Sequence, residues 1–283
     1  MSDALTLMVV HAHPDDEAIG TGGVLARCAD EGVRTVLVTC TGGEVGEISD
    51  RVQATADTLA EVRRRELERA CEILRVGRLY LLGYRDSGMM GTPDNDHPAS
   101  FYRASREEAT GRLVALVRHH RPQVLVTYDE RGFYGHPDHI RANQITVAAF
   151  DAAGDPARWP GAGAPWTPAK LYYTAVARSA LRTFSRLMRD AGIEVNFEDR
   201  ETGELQIGTA DELITTQIDV SAQVERKREA LMAHASQMGP EVFFARMPPP
   251  LFYQVFGRES FQLVRGRAGA PGLEDDLFAG LRG

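Results

Sequence analysis

The chain has no run of 18 apolar residues, which excludes an ordinary membrane-spanning helix. It has only three cysteines, Cys28, Cys40 and Cys71, with no close pair among them. That excludes a disulfide scaffold and a C-x-x-C site, and reads the cysteines as small buried hydrophobes of a reducing compartment. Positive charge is in deficit: 32 Lys and Arg stand against 40 Asp and Glu, a net charge of −8, which argues against nucleic acid as a partner. The start, Met1-Ser2-Asp3-Ala4, lacks a basic region followed by an apolar stretch, so no signal peptide and a cytoplasmic location are expected. Gly20-Thr21-Gly22-Gly23 lacks the G-x-G-x-x-G spacing, and neither G-x-S-x-G nor H-E-x-x-H occurs. Dinucleotide binding, a serine-hydrolase elbow and a zincin helix are therefore disfavoured.

What is present is a soluble globular composition of 43% hydrophobic and 25% charged residues over 283 positions, enough for one large α/β domain with an appendage. Leu5 to Val10 is a continuous apolar run, as a buried parallel strand requires. Ala18 to Asp30 reads as a helix, Val33 to Thr39 as a strand, Ala54 to Leu74 as a long amphipathic helix and Leu79 to Leu82 as a strand. Glu107 to His119 reads as a helix, Val124 to Tyr128 as a strand and His139 to Phe150 as a helix. This alternation predicts a doubly wound, mostly parallel α/β sheet flanked by helices. The Pro- and Gly-rich stretch Asp151 to Pro168 reads as a linker. A catalytic domain over 1–170 is expected, with a smaller C-terminal lobe over 171–283 that packs on it and shapes one side of the pocket. That lobe carries strands at Leu171 to Val176, Thr216 to Val220 and Phe261 to Val264, with helices at Ala180 to Asp190 and Ala222 to Ala233.

Two clusters sit just past predicted strands: His11-Ala12-His13-Pro14-Asp15-Asp16-Glu17 and His136-Pro137-Asp138-His139. Imidazole nitrogens and carboxylate oxygens are the donors a catalytic zinc takes, and strand ends of one sheet can bring distant segments together. His13 and Asp16, one turn apart, form the natural ligand pair; Asp15 is then the candidate base. His139 completes a three-donor site with a position open to water. Asp138 is placed to hydrogen-bond a histidine ring and keep it protonated, so the pKa of His136 is expected above its ordinary value. The competing readings are a helix cap for Asp15 and Asp16 and a solvated loop for the second cluster. Arg63, Arg64 and Arg65 read as a solvated helix face, and His234 as a helix C-terminal residue.

The paired motif Ala12-His13-Pro14-Asp15-Asp16-Glu17 and Gly135-His136-Pro137-Asp138-His139 resembles the LmbE-like (PIG-L) family of zinc-dependent de-N-acetylases, most of all its mycothiol-pathway members. The likeness extends to Thr41-Gly42-Gly43-Glu44, Arg85-Asp86-Ser87-Gly88, Pro165-Trp166-Thr167 and Ala233-His234-Ala235-Ser236-Gln237, and is weakest from Arg178 to Thr216. The resemblance implies a Rossmann-like sheet and a metal, zinc or ferrous iron, on His13, Asp16 and His139. It implies Asp15 as general base, His136 as a charged group near the oxyanion with Asp138 behind it, and Tyr134 as a mobile tyrosine that steadies the tetrahedral intermediate. Glu47, Arg63 and Asp86 fall where the family grips sugar or inositol hydroxyls. Phe133 departs from the glycine usual before that tyrosine, which implies a stiffer loop. The expected reaction is removal of the N-acetyl group from a small glucosaminide such as N-acetylglucosaminyl-inositol, with no nucleic acid and no membrane involved. The alternatives are an amidase acting on mycothiol S-conjugates and a noncatalytic sugar- or metal-binding protein.

Overall fold

The computed structural model describes residues 4–195, 197–198, 202, 204–269 and 271–282; Met1-Ser2-Asp3, on which the leader expectation rests, lies outside them. Strand β1 (Thr6–His11) turns Leu7 and Val9 to one face and Met8 and Val10 to the other, and all four are fully buried. A strand apolar on both faces needs a helical layer on each side. Helices α1 (Asp16–Gly20), α2 (Gly22–Asp30), α3 (Leu59–Leu74), α4 (Arg106–His120), α5 (Gly132–Gly135), α6 (Pro137–Ala152), α7 (Arg178–Asp190), α8 (Val224–Ala233), α9 (Phe243–Arg246) and α10 (Pro249–Phe256) supply those layers and the site's rim. Leu25, Leu67, Leu74 and Leu231 cover the Leu7 face, while Leu113, Val117, Ile145 and Ala149 cover the Met8 face.

The remaining strands are β2 (Arg34–Thr41), β3 (Arg78–Tyr84), β4 (Val124–Thr127), β5 (Lys170–Ala175), β6 (Thr216–Asp219) and β7 (Arg258–Arg265). Among the described residues they form one sheet in the order β3-β2-β1-β4-β5-β7-β6. The first five strands of that order run parallel, β7 runs antiparallel to β5, and β6 antiparallel to β7. The mostly parallel α/β architecture is thus the one expected, and residues from Lys170 onward extend the same sheet at its mixed edge. Among the described residues no helix is long and apolar enough to cross a membrane.

One predicted helix is two. The run from Ala18 to Asp30 breaks at Thr21, between α1 and α2. The break frees the first turn of α2, and the buried Glu259 carboxylate accepts the Gly23 and Val24 N–H groups at 2.7 and 2.9 Å. A Cβ on Gly23 would lie 2.5 Å from Val220, so only glycine allows the approach. Lys227 closes the cluster at 2.7 Å from the same carboxylate, with both side chains buried. Glu259→Ala strands the Lys227 ammonium in the interior, so it should cost about 3–5 kcal/mol of stability. Denaturant unfolding reads this directly; a loss below about 1 kcal/mol would mean the pair is bypassed by water.

Candidate active site

The two histidine clusters follow β1 and β4, which are neighbours although β2 is β1's partner on its other side. Strand order therefore reverses between β1 and β4, and a crevice opens at the carboxyl ends of strands at such a switch point. This topology brings together segments more than a hundred residues apart.

His13, Asp16 and His139 meet there. His13 Nδ1 lies 3.3 Å from His139 Nε2 and 3.4 Å from Asp16 Oδ2, and His139 Nε2 lies 3.5 Å from Asp16 Oδ1. Donors bound to zinc at about 2.0–2.1 Å in a tetrahedron are separated by about 3.3–3.4 Å. The spacing, the two imidazoles and the carboxylate fit one divalent ion. His13, His136 and His139 also lie close enough to share an ion, and all three are buried. The other ring nitrogen of His13, Nε2, faces Asp138 Oδ2 at 3.3 Å and Asp86 Oδ1 at 3.5 Å. Carboxylates behind a ligand histidine set its tautomer and raise its basicity. Tyr128, the residue just past β4, donates its hydroxyl to Asp16 Oδ2 at 2.7 Å, accepts the Ala12 N–H and stacks on the His139 ring at 4.1 Å.

Asp15 stands beside this group with a different backbone. Its φ of 116° and ψ of −30° lie where non-glycine residues are strained, at a cost of about 1–3 kcal/mol. Arg63 holds it: one guanidinium nitrogen donates to the Pro14 carbonyl at 2.5 Å and to Asp15 Oδ2 at 3.2 Å, and the other to the Gly43 carbonyl at 2.9 Å. Burial pushes the Asp15 carboxyl up to about 6; Arg63 opposes the rise and Asp16 adds to it. Arg63 is thus not part of a solvated face. It is 3% exposed, whereas Arg64 and Arg65 pair with Glu61 at the surface.

His136 differs from expectation. Burial, reinforced by His13 and His139, pushes its pKa down to about 4, against the pull of Asp138 and Asp86. The Asp138 carboxylate accepts the Ser87 N–H and hydroxyl and faces His13. Its backbone N–H, not its carboxylate, meets His136, donating to Nδ1 at 3.2 Å as the ring caps α6. A neutral ring with Nδ1 occupied as an acceptor carries its proton on Nε2.

Tyr134 is half exposed, with its ring 5.0 Å from that of His139. Phe133 before it has φ 63° and ψ −68°, the geometry of a strained γ-turn, held by its N–H on Asp129 Oδ1 at 2.8 Å. Gly132 is required next to it: a Cβ there would lie 2.7 Å from that of His139. Of the other expected residues, Asp86 is buried against His13, and Glu47 is exposed on the loop after β2, its carbonyl bonded to Gln237. A cavity of about 1180 Å³ opens from Asp15, Asp16, His139 and Tyr134 towards an aromatic wall that includes Phe184, Phe243 and Phe256. Tyr128, Ser87, Glu17 and His234 were not singled out as site residues by the sequence. Tyr128 closes a predicted strand, and Glu17 is the third acid of the first cluster, the only local signals for either.

A three-donor ion site, a strained, partly buried carboxylate beside it and hydrogen-bond donors at the strand ends of a Rossmann-like sheet define a metal-dependent amidohydrolase. The PIG-L family, described as GlcNAc-PI de-N-acetylase, matches residues 8–150. A 1D-myo-inositol 2-acetamido-2-deoxy-alpha-D-glucopyranoside deacetylase of Geodermatophilus obscurus is 45% identical over all of this chain and all of its own length. Another so named, from Catenulispora acidiphila, is 46% identical over 98% of this chain and 90% of its own. The chain belongs to the PIG-L family of de-N-acetylases. The N,N'-diacetylchitobiose deacetylase of Pyrococcus horikoshii shares the fold, with a TM-score of 0.65 at 21% identity over 93% of this chain and 84% of that one.

Proposed function

We propose that this chain removes the acetyl group from N-acetylglucosaminyl-inositol, with His13, Asp16 and His139 holding zinc and Asp15 acting as general base. The observation that carries the reading is Asp15: a carboxylate beside the ion site, tied to Arg63 and raised to about 6. A binding protein has no use for such a group, whereas a base poised just below neutral pH is what water activation needs. Two relatives named as deacetylases of this glucoside, at 45–46% identity, support the substrate.

When bound, the metal supplies Lewis acidity, which makes water nucleophilic near neutral pH and polarises an amide carbonyl. Asp15, ionised at neutral pH, accepts the proton of the attacking water. The Nε2–H of His136 and the Tyr134 hydroxyl donate to the oxygen that gains negative charge, so the oxyanion is met by a neutral imidazole at a helix N-terminus. The single ring proton of His136 is committed there, and Asp15 is the group that returns a proton to the departing amine. Asp138 and Asp86 orient His13 and Arg63 holds Asp15, all from buried positions, which leaves exposed Glu47 to meet sugar or inositol hydroxyls at the rim. The part of the chain from residue 171 shapes the pocket. We place the enzyme in the cytoplasm, acting on a small molecule without nucleic acid or membrane.

The aromatic wall of the cavity favours one second reading, hydrolysis of a larger acyl group such as that of a mycothiol S-conjugate. Metal analysis joined to an amine-release assay over N-acyl glucosaminides tests both. The expected result is one equivalent of zinc and highest kcat/KM on N-acetylglucosaminyl-inositol. Higher kcat/KM on the thiol conjugate would favour the second reading, and amine release from none of the panel would overturn both. A full equivalent of iron in active protein would replace zinc with the other ion this donor set accommodates.

A further inference from the structure

The first cluster ends in an acid that the reaction does not use, and the segment Ala233-His234-Ala235-Ser236-Gln237 carries a histidine it does not use. The fold places them together. Glu17, on α1, and His234, just past α8, are both fully buried. His234 Nε2 lies 2.7 Å from Glu17 Oε1, and a carboxylate can only accept, so the imidazole donates. The other oxygen, Oε2, accepts the backbone N–H of Asp15 at 3.0 Å. The His234 segment is itself anchored: Ser236 gives its N–H and hydroxyl to the Glu66 carboxylate on α3 at 2.7 and 2.5 Å, and its carbonyl accepts the Ser49 N–H at 2.9 Å.

We propose that Glu17 and His234 form a buried positioning pair that holds Asp15 in its strained backbone conformation, so that the carboxylate points at the ion site. A residue at φ 116° keeps that conformation only where its surroundings over-determine it. Arg63 fixes Asp15 from the side chain and the Pro14 carbonyl. On the backbone, the Asp15 carbonyl accepts the Ala18 and Ile19 N–H groups at the start of α1, and Glu17 takes the Asp15 N–H, the other end of the peptide whose Pro14 carbonyl Arg63 holds. His234 in turn selects which way the Glu17 carboxylate turns, since one oxygen faces the imidazole and the other the strained peptide. A side chain 217 positions further along the chain therefore sets the aim of the base. Neither residue touches substrate in this reading; both act through Asp15.

The inference rests on Asp15 being the base, and the test separates the two claims. Glu17→Ala should keep its metal and its circular dichroism while kcat on N-acetylglucosaminyl-inositol falls about 10²-fold, the effect of misplacing a reacting group by about an ångström. KM should change less than about three-fold, because sugar contacts are untouched. Glu17→Gln should recover kcat to within about ten-fold of wild type, since its amide oxygen still accepts the Asp15 N–H. In an Asp15→Ala background the same Glu17→Ala change should cost less than about two-fold further, because the base it positions is gone. A merely structural role would instead cost the same in both backgrounds and overturn the proposal. So would wild-type kcat in metal-loaded Glu17→Ala, or equal loss in the Ala and Gln variants. If Glu17→Ala fails to fold, His234→Leu against His234→Gln provides the comparison: the first should lower kcat at constant KM and the second, which can still donate to Glu17, should not. Equal turnover in these two variants would also overturn it. Normal turnover in metal-loaded Asp15→Ala would overturn the base assignment instead.

Discussion

His13→Ala, Asp16→Ala and His139→Ala are each expected to purify with well under a tenth of the metal bound by the wild type and to lose at least about 10³-fold in kcat. Each residue contributes one of the three donors spaced 3.3–3.5 Å apart around a common point. Two remaining ligands do not hold a divalent ion against dilution as three do. The Lewis-acid contribution that vanishes is several kcal/mol of transition-state stabilisation, and about 1.4 kcal/mol is a factor of ten. Elemental analysis of the purified variants, before and after dialysis against chelator, reads the loss without reference to activity. Tyr128→Phe serves as the graded comparison. It deletes the hydroxyl that holds Asp16 Oδ2 but leaves the stack on His139 and all three donors, so metal affinity should fall about 10–100-fold without being abolished. If Asp16→Ala and His139→Ala retain a full equivalent of tightly bound metal while His13→Ala loses it, the ion is held instead by His13 with His136 and the Asp86 and Asp138 carboxylates; retention by all three variants would place it away from these residues altogether.

The parts of this site that could be read in the sequence are those whose logic is local. An apolar run ending in histidines and acids marks a strand end, and β-α alternation says that such ends line up, which is why the clusters at positions 11–17 and 136–139 could be paired before any fold was known. The sheet order made the pairing physical by setting β1 beside β4. What was not legible depends on contacts across the fold. Arg63 sits in a run of three arginines whose pattern is that of a surface helix, and only the approach of the Pro14 turn and the Gly43 carbonyl buries it. Asp138 lies between two histidines in sequence, yet the turn into α6 aims its carboxylate at Ser87 and His13 and offers His136 only a backbone N–H. His136 then loses the charge-stabilising partner that its sequence neighbourhood promised, and burial decides its protonation. The break at Thr21 had a local sign in Gly20 and Gly22, but its reason, the Glu259 carboxylate under the first turn of α2, comes from the far end of the chain.

Asp15→Asn is expected to keep both fold and metal while kcat falls about 10²–10⁴-fold, the usual worth of a positioned acid–base group. Asparagine preserves the shape, tolerates positive φ better than other non-glycine residues and can still accept from Arg63 through its amide oxygen. What it cannot do is take a proton. Asp15→Ala loses the Arg63 contact as well, so the asparagine variant is the cleaner measure of chemistry. The pH profile adds a second readout, and its sign follows from the role. A base works only when deprotonated, and burial has raised the Asp15 carboxyl to about 6. Wild-type kcat/KM should therefore be near its plateau at neutral pH and fall tenfold per unit below an acidic limb at or just under 6; a bound cation beside Asp15 pulls that limb down in the same sense as Arg63. In Asp15→Asn the limb should vanish from the residual activity. His136, held neutral with a pKa near 4, does not titrate on the alkaline side. His136→Ala should lower kcat through the lost oxyanion donor and leave the basic limb where it was. An acidic limb near 6 that persists in metal-loaded Asp15→Asn would show that another group takes the proton from water, and a basic limb abolished by His136→Ala would restore the cationic imidazole that its burial argues against.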